Sequence, residues 1–206
     1  MADSNNQIEN IAAIVLAAGL STRMGRPKMI LPWGKSSIIG TVVSTLVAAG
    51  LTQVVVVTGG SSSEVEKALE GFPDQIVFNP LYENGEMLYS IQIGLSALST
   101  KTHAALVVLG DQPQMQIDIV RSVIKAYQKT EQVTLIIPSF QMRRGHPWLV
   151  SRSLWPGILA LTPPATMRDF VQENAKSIHY LNVNTPTVLA DLDTPEDYER
   201  SRSGNI

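Results

Sequence analysis

The apolar run at residues 11–16 passes directly into Ala17-Ala18-Gly19-Leu20-Ser21-Thr22-Arg23-Met24-Gly25-Arg26-Pro27-Lys28. This junction constrains the chain most, because it hangs a glycine-punctuated, cationic loop on the end of a strand too apolar to sit at a surface. Glycine tolerates tight turns and lets backbone N–H groups approach an anion with no side chain in the way. Arg23, Arg26 and Lys28 add positive charge at the same place. The spacing excludes a Walker A loop, which needs Gly-x4-Gly-Lys-Ser/Thr. Here five residues separate Gly19 from Gly25, and the lysine comes three after the second glycine. The expectation is a phosphate-binding loop of another kind, and with it a nucleotide site.

The rest of the chain repeats the theme of short apolar runs followed by longer amphipathic ones. Strands are expected at 11–17, 53–58, 75–79, 104–109 and 133–138, and helices at 37–49, 61–70, 85–98 and 116–129. Gly50 reads as a helix end, and Ser61-Ser62-Ser63-Glu64 as a capping box. The strands lack strict alternation, as expected when both faces are buried. Strand and helix in turn imply a doubly wound, mostly parallel α/β sheet with right-handed crossovers, in a single domain. The last third is less regular. It offers a strand at 146–150, a short helix at 166–174, a strand at 177–183 and a final helix at 194–202 opened by Pro195. We expect residues 1–10 and 203–206 to be tails around a domain at 11–202.

Composition narrows the chemistry. With 44% apolar and 17% charged residues, 206 residues suit a globular domain, and a net charge of −2 offers no field for holding nucleic acid. There is no cysteine, so disulfides, thiolate nucleophiles and thiolate metal sites are excluded. His103, His146 and His179 are too scattered for a zinc site. No apolar run is long enough to span a membrane and residues 1–10 lack a basic leader, so the chain reads as cytoplasmic.

In an open parallel sheet, ligands bind beyond the carboxyl ends of the strands. The segments to inspect are therefore the first loop, Thr58-Gly59-Gly60, Asn79-Pro80 and Gly110-Asp111-Gln112-Pro113. An acidic Asp111 facing a cationic phosphate loop makes sense with Mg2+ between carboxylate and phosphate. Taken singly, Asp111 reads as a turn residue, and Gly59 and Gly60 as a plain turn or a close approach to a ligand. Met24, Met29, Met87 and the tryptophans read as packing. Arg143 and Arg144, after the fifth strand, read equally as a solvated pair or, with His146, as a face toward a second substrate.

The first loop with Lys28 resembles the signature of the MobA-like nucleotidyltransferases. Further elements agree, in order along nearly the whole chain: Lys28-Met29-Ile30-Leu31-Pro32-Trp33, Val57-Thr58-Gly59, Asn79-Pro80 with Gly85 and Ser90, Gly110-Asp111-Gln112-Pro113, Gly145-His146-Pro147, and Asp191-Leu192-Asp193-Thr194-Pro195-Glu196-Asp197. The last two elements point to the branch acting on the molybdenum cofactor. The resemblance implies a Rossmann-like nucleotidyltransferase fold and the transfer of CMP from CTP to the terminal phosphate of molybdenum-molybdopterin, with release of pyrophosphate. It implies Ala17, Ala18 and Gly19 against base and ribose, Arg23 and Lys28 on the triphosphate, and Asp111 and Asp193 on Mg2+. Arg23, Lys28 and Asp111 would be the catalytic set. Thr58, Gly59 and Ser90 would recognise the base, and Arg144 and His146 the acceptor. Relatives that use GTP usually read Ala-Gly-Gly where this chain has Ala17-Ala18-Gly19, which favours CTP. Gln112 departs from a frequent methionine. The product would pass to a molybdoenzyme or its maturation chaperone. Other substrates remain open: GTP in the same pathway, or a sugar or polyol phosphate with CTP. A non-catalytic cofactor carrier is the reading from another class.

Overall fold

The computed structural model describes residues 10–72, 75–84, 87–130 and 134–203. Residues 1–9 and 204–206 of the expected tails, together with Gly85 and Val133, lie outside the described residues. Among the described residues the main sheet has eight strands, seven of them in one row: β1 (Ile11–Ala17), β4 (Val54–Thr58), β5 (Gln75–Phe78), β6 (Ala104–Leu109), β7 (Leu135–Phe140), β9 (Trp148–Ser151) and β10 (Ile178–Asn182). Their order is β10-β7-β9-β6-β1-β4-β5. The short β8 (Arg143–Arg144) adds to β7, and β2 (Pro32–Trp33) pairs with β3 (Ser36–Ser37) as a separate hairpin. The pairs β1–β4, β1–β6, β4–β5 and β7–β10 are parallel. Only β8 and β9 pair antiparallel within the main sheet. The doubly wound, mostly parallel α/β domain expected from the sequence is therefore borne out.

The apolar runs are explained by what they pack against. Successive strand residues point to opposite faces. Ala13, Val15, Val54 and Val56 enter one core layer, while Ala12, Ile14, Val55 and Val57 enter the other. Helices α1 (Ile38–Ala49) and α4 (Ile117–Gln128) bury their apolar residues in the first layer, as α2 (Ser62–Ala68) buries Val65. Helices α3 (Met87–Ala97), α5 (Trp155–Leu159) and α6 (Met167–Glu173) cover the second. A third, smaller cluster joins Met24, Leu31, Trp33 and Ile38 to Leu192 and Tyr198 of the C-terminal segment. There α7 (Pro195–Ser203) is anchored by the Tyr198 hydroxyl, which donates to the Pro32 carbonyl at 2.6 Å. That cluster pins the first loop to the segment bearing Asp191 and Asp193.

Some local expectations are corrected. The β5 strand is an edge strand with Gln75 and Phe78 exposed, so burial on both faces does not extend to it. Ser61 caps α2 without a side-chain hydrogen bond, and the expected capping box is absent there. The Ser62 hydroxyl instead shares a 2.8 Å hydrogen bond with Thr58 and donates to Glu66. Reciprocal capping does occur at Thr166–Asp169 and Thr194–Asp197. Gly50 ends α1 in the left-handed region at φ 106°, as expected.

Candidate functional site

The chain order creates a crevice. From β1 the sheet grows outward through β4 and β5, and the chain then returns to lay β6 on the other side of β1. Ligands in open α/β sheets bind at such a switch point, beyond the carboxyl ends of the two strands. The first loop leaves β1 there and Gly110-Asp111 leaves β6, with the Gly110 amide donating to the Leu16 carbonyl at 3.0 Å. A cleft of about 410 Å3 opens between them, within the usual size for a small-molecule site.

The loop is held by its own hydrogen bonds. The Lys28 amide donates to the Ser21 hydroxyl at 3.2 Å, and Ser21 (φ 53°) and Gly25 (φ 64°) take left-handed turns. Met24 and Met29 are buried beneath it, the packing role expected of them. Lys28 is 8% exposed. Its Nζ contacts the Asp111 carboxylate, the Leu192 carbonyl at 3.2 Å and Asp193 Oδ1 at 3.5 Å. Arg23 is exposed and reaches Asp193 Oδ2 at 3.1 Å. Two cations from the loop thus interleave with two aspartates, one from the turn after β6 and one from the segment before α7. The other loop cation, Arg26, is exposed and lies outside the cleft lining.

Asp191 was not singled out by sequence reasoning, although it stands in the Asp191-Leu192-Asp193 motif. It lines the cleft, and Gln112 Nε2 donates to its Oδ1 at 2.6 Å. Burial raises its pKa above the usual carboxylate value, and the neighbouring Asp111 charge adds to the effect. Gln112 is buried with its amide spent on Asp191, which gives the departure at this position a structural role. The signal was there, since a third acid two residues before Asp193 shares its segment.

Among the described residues, no group of three or more His, Asp or Glu is arranged to hold a metal by itself. The Asp111 and Asp193 carboxylates and the Leu192 carbonyl nevertheless converge on one cationic atom, Lys28 Nζ. An all-oxygen set of this kind suits a hard divalent ion whose remaining ligands come from phosphates and water. The donor chemistry fits magnesium or manganese.

The remaining expected residues divide. Ala18, Gly19 and Ser90 line the cleft. Ala17 is buried in β1, and Thr58 is fully buried with its hydroxyl bonded within the fold. Gly59 lies behind the cleft wall: a Cβ there would fall 2.5 Å from the Ala18 carbonyl and 2.7 Å from Tyr82 Cβ. Its close approach is therefore to backbone and a tyrosine.

Arg144 and His146 do not line the cleft. The Arg144 guanidinium lies over the Tyr180 ring and donates to its hydroxyl at 3.0 Å. The His146 ring stacks on Trp148 at 4.5 Å between centroids, with Nδ1 buried and unpartnered in the fold. Burial lowers its pKa to about 4, against a weaker opposing effect of the Val107 carbonyl. Below pH 6.5 the unfolded chain binds a proton that the folded chain refuses until about pH 4. Stability is accordingly expected to fall by up to about 3 kcal/mol across that window. Urea unfolding at pH 7 and pH 4.5 checks this, and His146→Gln should remove most of the difference. An equal acid loss in both proteins contradicts a neutral buried His146.

The MobA-like NTP transferase domain matches residues 13–178. The molybdenum cofactor cytidylyltransferase of Escherichia coli (strain K12) is 30% identical over 193 residues, which are 91% of this chain and 93% of that protein. The nicotine blue oxidoreductase of Paenarthrobacter nicotinovorans is 27% identical over 92% of this chain and 95% of its own. Among solved structures, Rv0371c of Mycobacterium tuberculosis H37Rv superposes with a TM-score of 0.82 at 26% identity, covering 95% of this chain and 99% of that one. Rv0371c has also been solved in complex with manganese.

Proposed function

The chain belongs to the MobA-like NTP transferase family, and on that premise we propose that it transfers CMP from CTP to the terminal phosphate of molybdenum-loaded molybdopterin. One observation carries the reading. Arg23 and Lys28, on the loop after β1, meet Asp111 and Asp193 across the switch-point cleft. That arrangement suits a polyphosphate and its counter-ion. The choice of CTP draws support from Ala17-Ala18-Gly19 and from the similarity to the E. coli cytidylyltransferase. The manganese complex of Rv0371c supports a divalent ion, which we take to be magnesium here.

The reaction makes one bond and breaks one. An oxygen of the acceptor phosphate attacks the α-phosphorus of CTP, the bond from that phosphorus to the bridging oxygen breaks, and its electron pair leaves with pyrophosphate. A phosphomonoester has a second pKa of about 6, so near neutral pH it is already a dianionic nucleophile. No side chain has to take a proton, which suits a cleft lined by no histidine or glutamate among the described residues. The chain's task is to position two anions and neutralise the leaving one. As the triphosphate enters, Lys28 and Arg23 exchange their aspartates for phosphate oxygens, and Asp111 and Asp193 become free for the metal. Held by these two aspartates, the ion would supply counter-charge to the triphosphate. Asp191, held by Gln112, adds a third carboxyl group to the same rim. Placing Arg144 and His146 on the acceptor has no support from their surroundings, and the acceptor's contacts are better sought along the cleft.

Pyrophosphate release from each nucleoside triphosphate, with magnesium and the pterin acceptor, tests the reading. CTP should exceed GTP by more than about tenfold. A GTP preference would reassign the protein to guanylyl transfer, and turnover only with a sugar or polyol phosphate would change the acceptor. The nicotine blue oxidoreductase relative favours a second reading, in which the same scaffold carries out an oxidation or reduction. Redox turnover of a dye substrate without pyrophosphate release would establish that instead.

A further inference from the structure

Three sequence motifs without a role in the chemistry above converge on one side chain. Tyr82 follows β5 and lines the cleft on the β4–β5 side. The first motif, Asn79-Pro80, shapes the turn that delivers it. The buried Asn79 accepts the Leu81 amide on Oδ1 at 2.9 Å and the Tyr82 amide on its carbonyl at 3.3 Å. The second, Ser90, holds Asn79 in place by accepting from Nδ2 at 3.0 Å. The third is Gly59-Gly60, whose missing side chains make a flat bed for the tyrosine. A Cβ on Gly59 would lie 2.7 Å from Tyr82 Cβ, and one on Gly60 would lie 2.9 Å from the ring at Cε2. The ring is further fixed by an edge contact with Phe78, at 6.0 Å between centroids, and by its hydroxyl donating to Glu83 at 3.2 Å. Exposed Leu20, from the cationic loop, and Met87 add apolar surface to the same lining.

We propose that Tyr82 is the platform on which the nucleobase stacks, and that Asn79, Ser90 and the glycine pair hold its ring at that angle. The inference rests on the nucleotidyltransferase reading above. An aromatic ring presents the flat, apolar surface that a base needs, and stacking is tolerant of which base is bound. It follows that Tyr82 supplies affinity for the nucleoside while leaving CTP-over-GTP choice to the first loop. The Ser90 hydroxyl, bonded to Asn79, acts through the tyrosine and not on the base directly.

Calorimetric titration of wild type, Tyr82→Phe and Tyr82→Leu with CTP and with inorganic tripolyphosphate, both with magnesium, tests this. Leucine keeps apolar bulk on the glycine bed and removes the ring. Tyr82→Leu should bind CTP roughly 5- to 150-fold more weakly, with tripolyphosphate binding unchanged. Tyr82→Phe should match wild type for both ligands. If Tyr82→Leu does not fold, the indole fluorescence gained by Tyr82→Trp should respond to CTP and not to tripolyphosphate. Unchanged CTP affinity in Tyr82→Leu, an equal loss for both ligands, or an equal fluorescence response to both overturns the proposal. Wild-type protein that binds tripolyphosphate and CTP equally sinks Tyr82's role alone. Wild type that binds neither sinks the nucleotidyltransferase reading with it.

Discussion

Asp111→Asn should lower the rate of pyrophosphate release from CTP by at least about 10²- to 10³-fold while the protein stays folded. The substitution keeps the side chain's shape and removes its charge. Asp111 follows β6 at the switch point, and its carboxylate lies against the buried Lys28 ammonium. In the free protein the ammonium keeps Asp193 and the Leu192 carbonyl as partners. The cost to stability should therefore stay below the roughly 3–5 kcal/mol typical of stripping a buried charge of its partner. The β6 backbone is untouched, since the Gly110 amide to Leu16 carbonyl bond does not involve the side chain. Activity and stability thus separate, and both are measurable, one by pyrophosphate release and the other by thermal unfolding. Near-normal turnover in the folded variant would remove the metal role from Asp111.

Lys28→Met should cost about 3–4 kcal/mol of transition-state stabilisation, a factor of several hundred in rate. Methionine preserves length and burial and deletes the point charge that would meet the departing pyrophosphate. The loss should appear in binding as well, with weakened inhibition by tripolyphosphate. Lys28→Arg should not rescue it. The ammonium sits among three oxygens, from Asp111, Asp193 and Leu192, where a planar guanidinium fork has a different shape and reach. If Lys28→Met binds tripolyphosphate as well as wild type, the lysine is a structural counter-ion to Asp111 and no more.

The sequence made the parallel half of the sheet legible because its strands carry few polar residues. Runs such as Val54–Thr58 and Ala104–Leu109 have only one reading once helices separate them. The direction of β9 was not legible, because local pattern finds a strand but not its partner. The β8 turn gave no signal either. Gln141 (φ 49°) and Met142 (φ 65°) take left-handed conformations where glycine or asparagine would have announced a hairpin. At the site, the cationic loop and Asp111 were legible since both directly follow strand ends. The places of Asp191 and Tyr82 in the cleft lining were not, because each is held by neighbours distant in sequence: Gln112 for one and Gly59-Gly60 for the other. The place of His146 was not legible for the same reason. Its motif reads like chemistry, and only the fold shows the ring stacked on Trp148 away from the cleft lining.

The central claim is that the loop after β1 grips a triphosphate while aspartates across the cleft anchor a divalent ion. A crystal structure with CTP and manganese, located by its anomalous signal, tests it most directly. The account predicts triphosphate oxygens on Arg23 and Lys28, with manganese between Asp111 and Asp193 where Lys28 Nζ now lies. CTP bound elsewhere, with Lys28 still paired to Asp111 and no manganese at either aspartate, would contradict it.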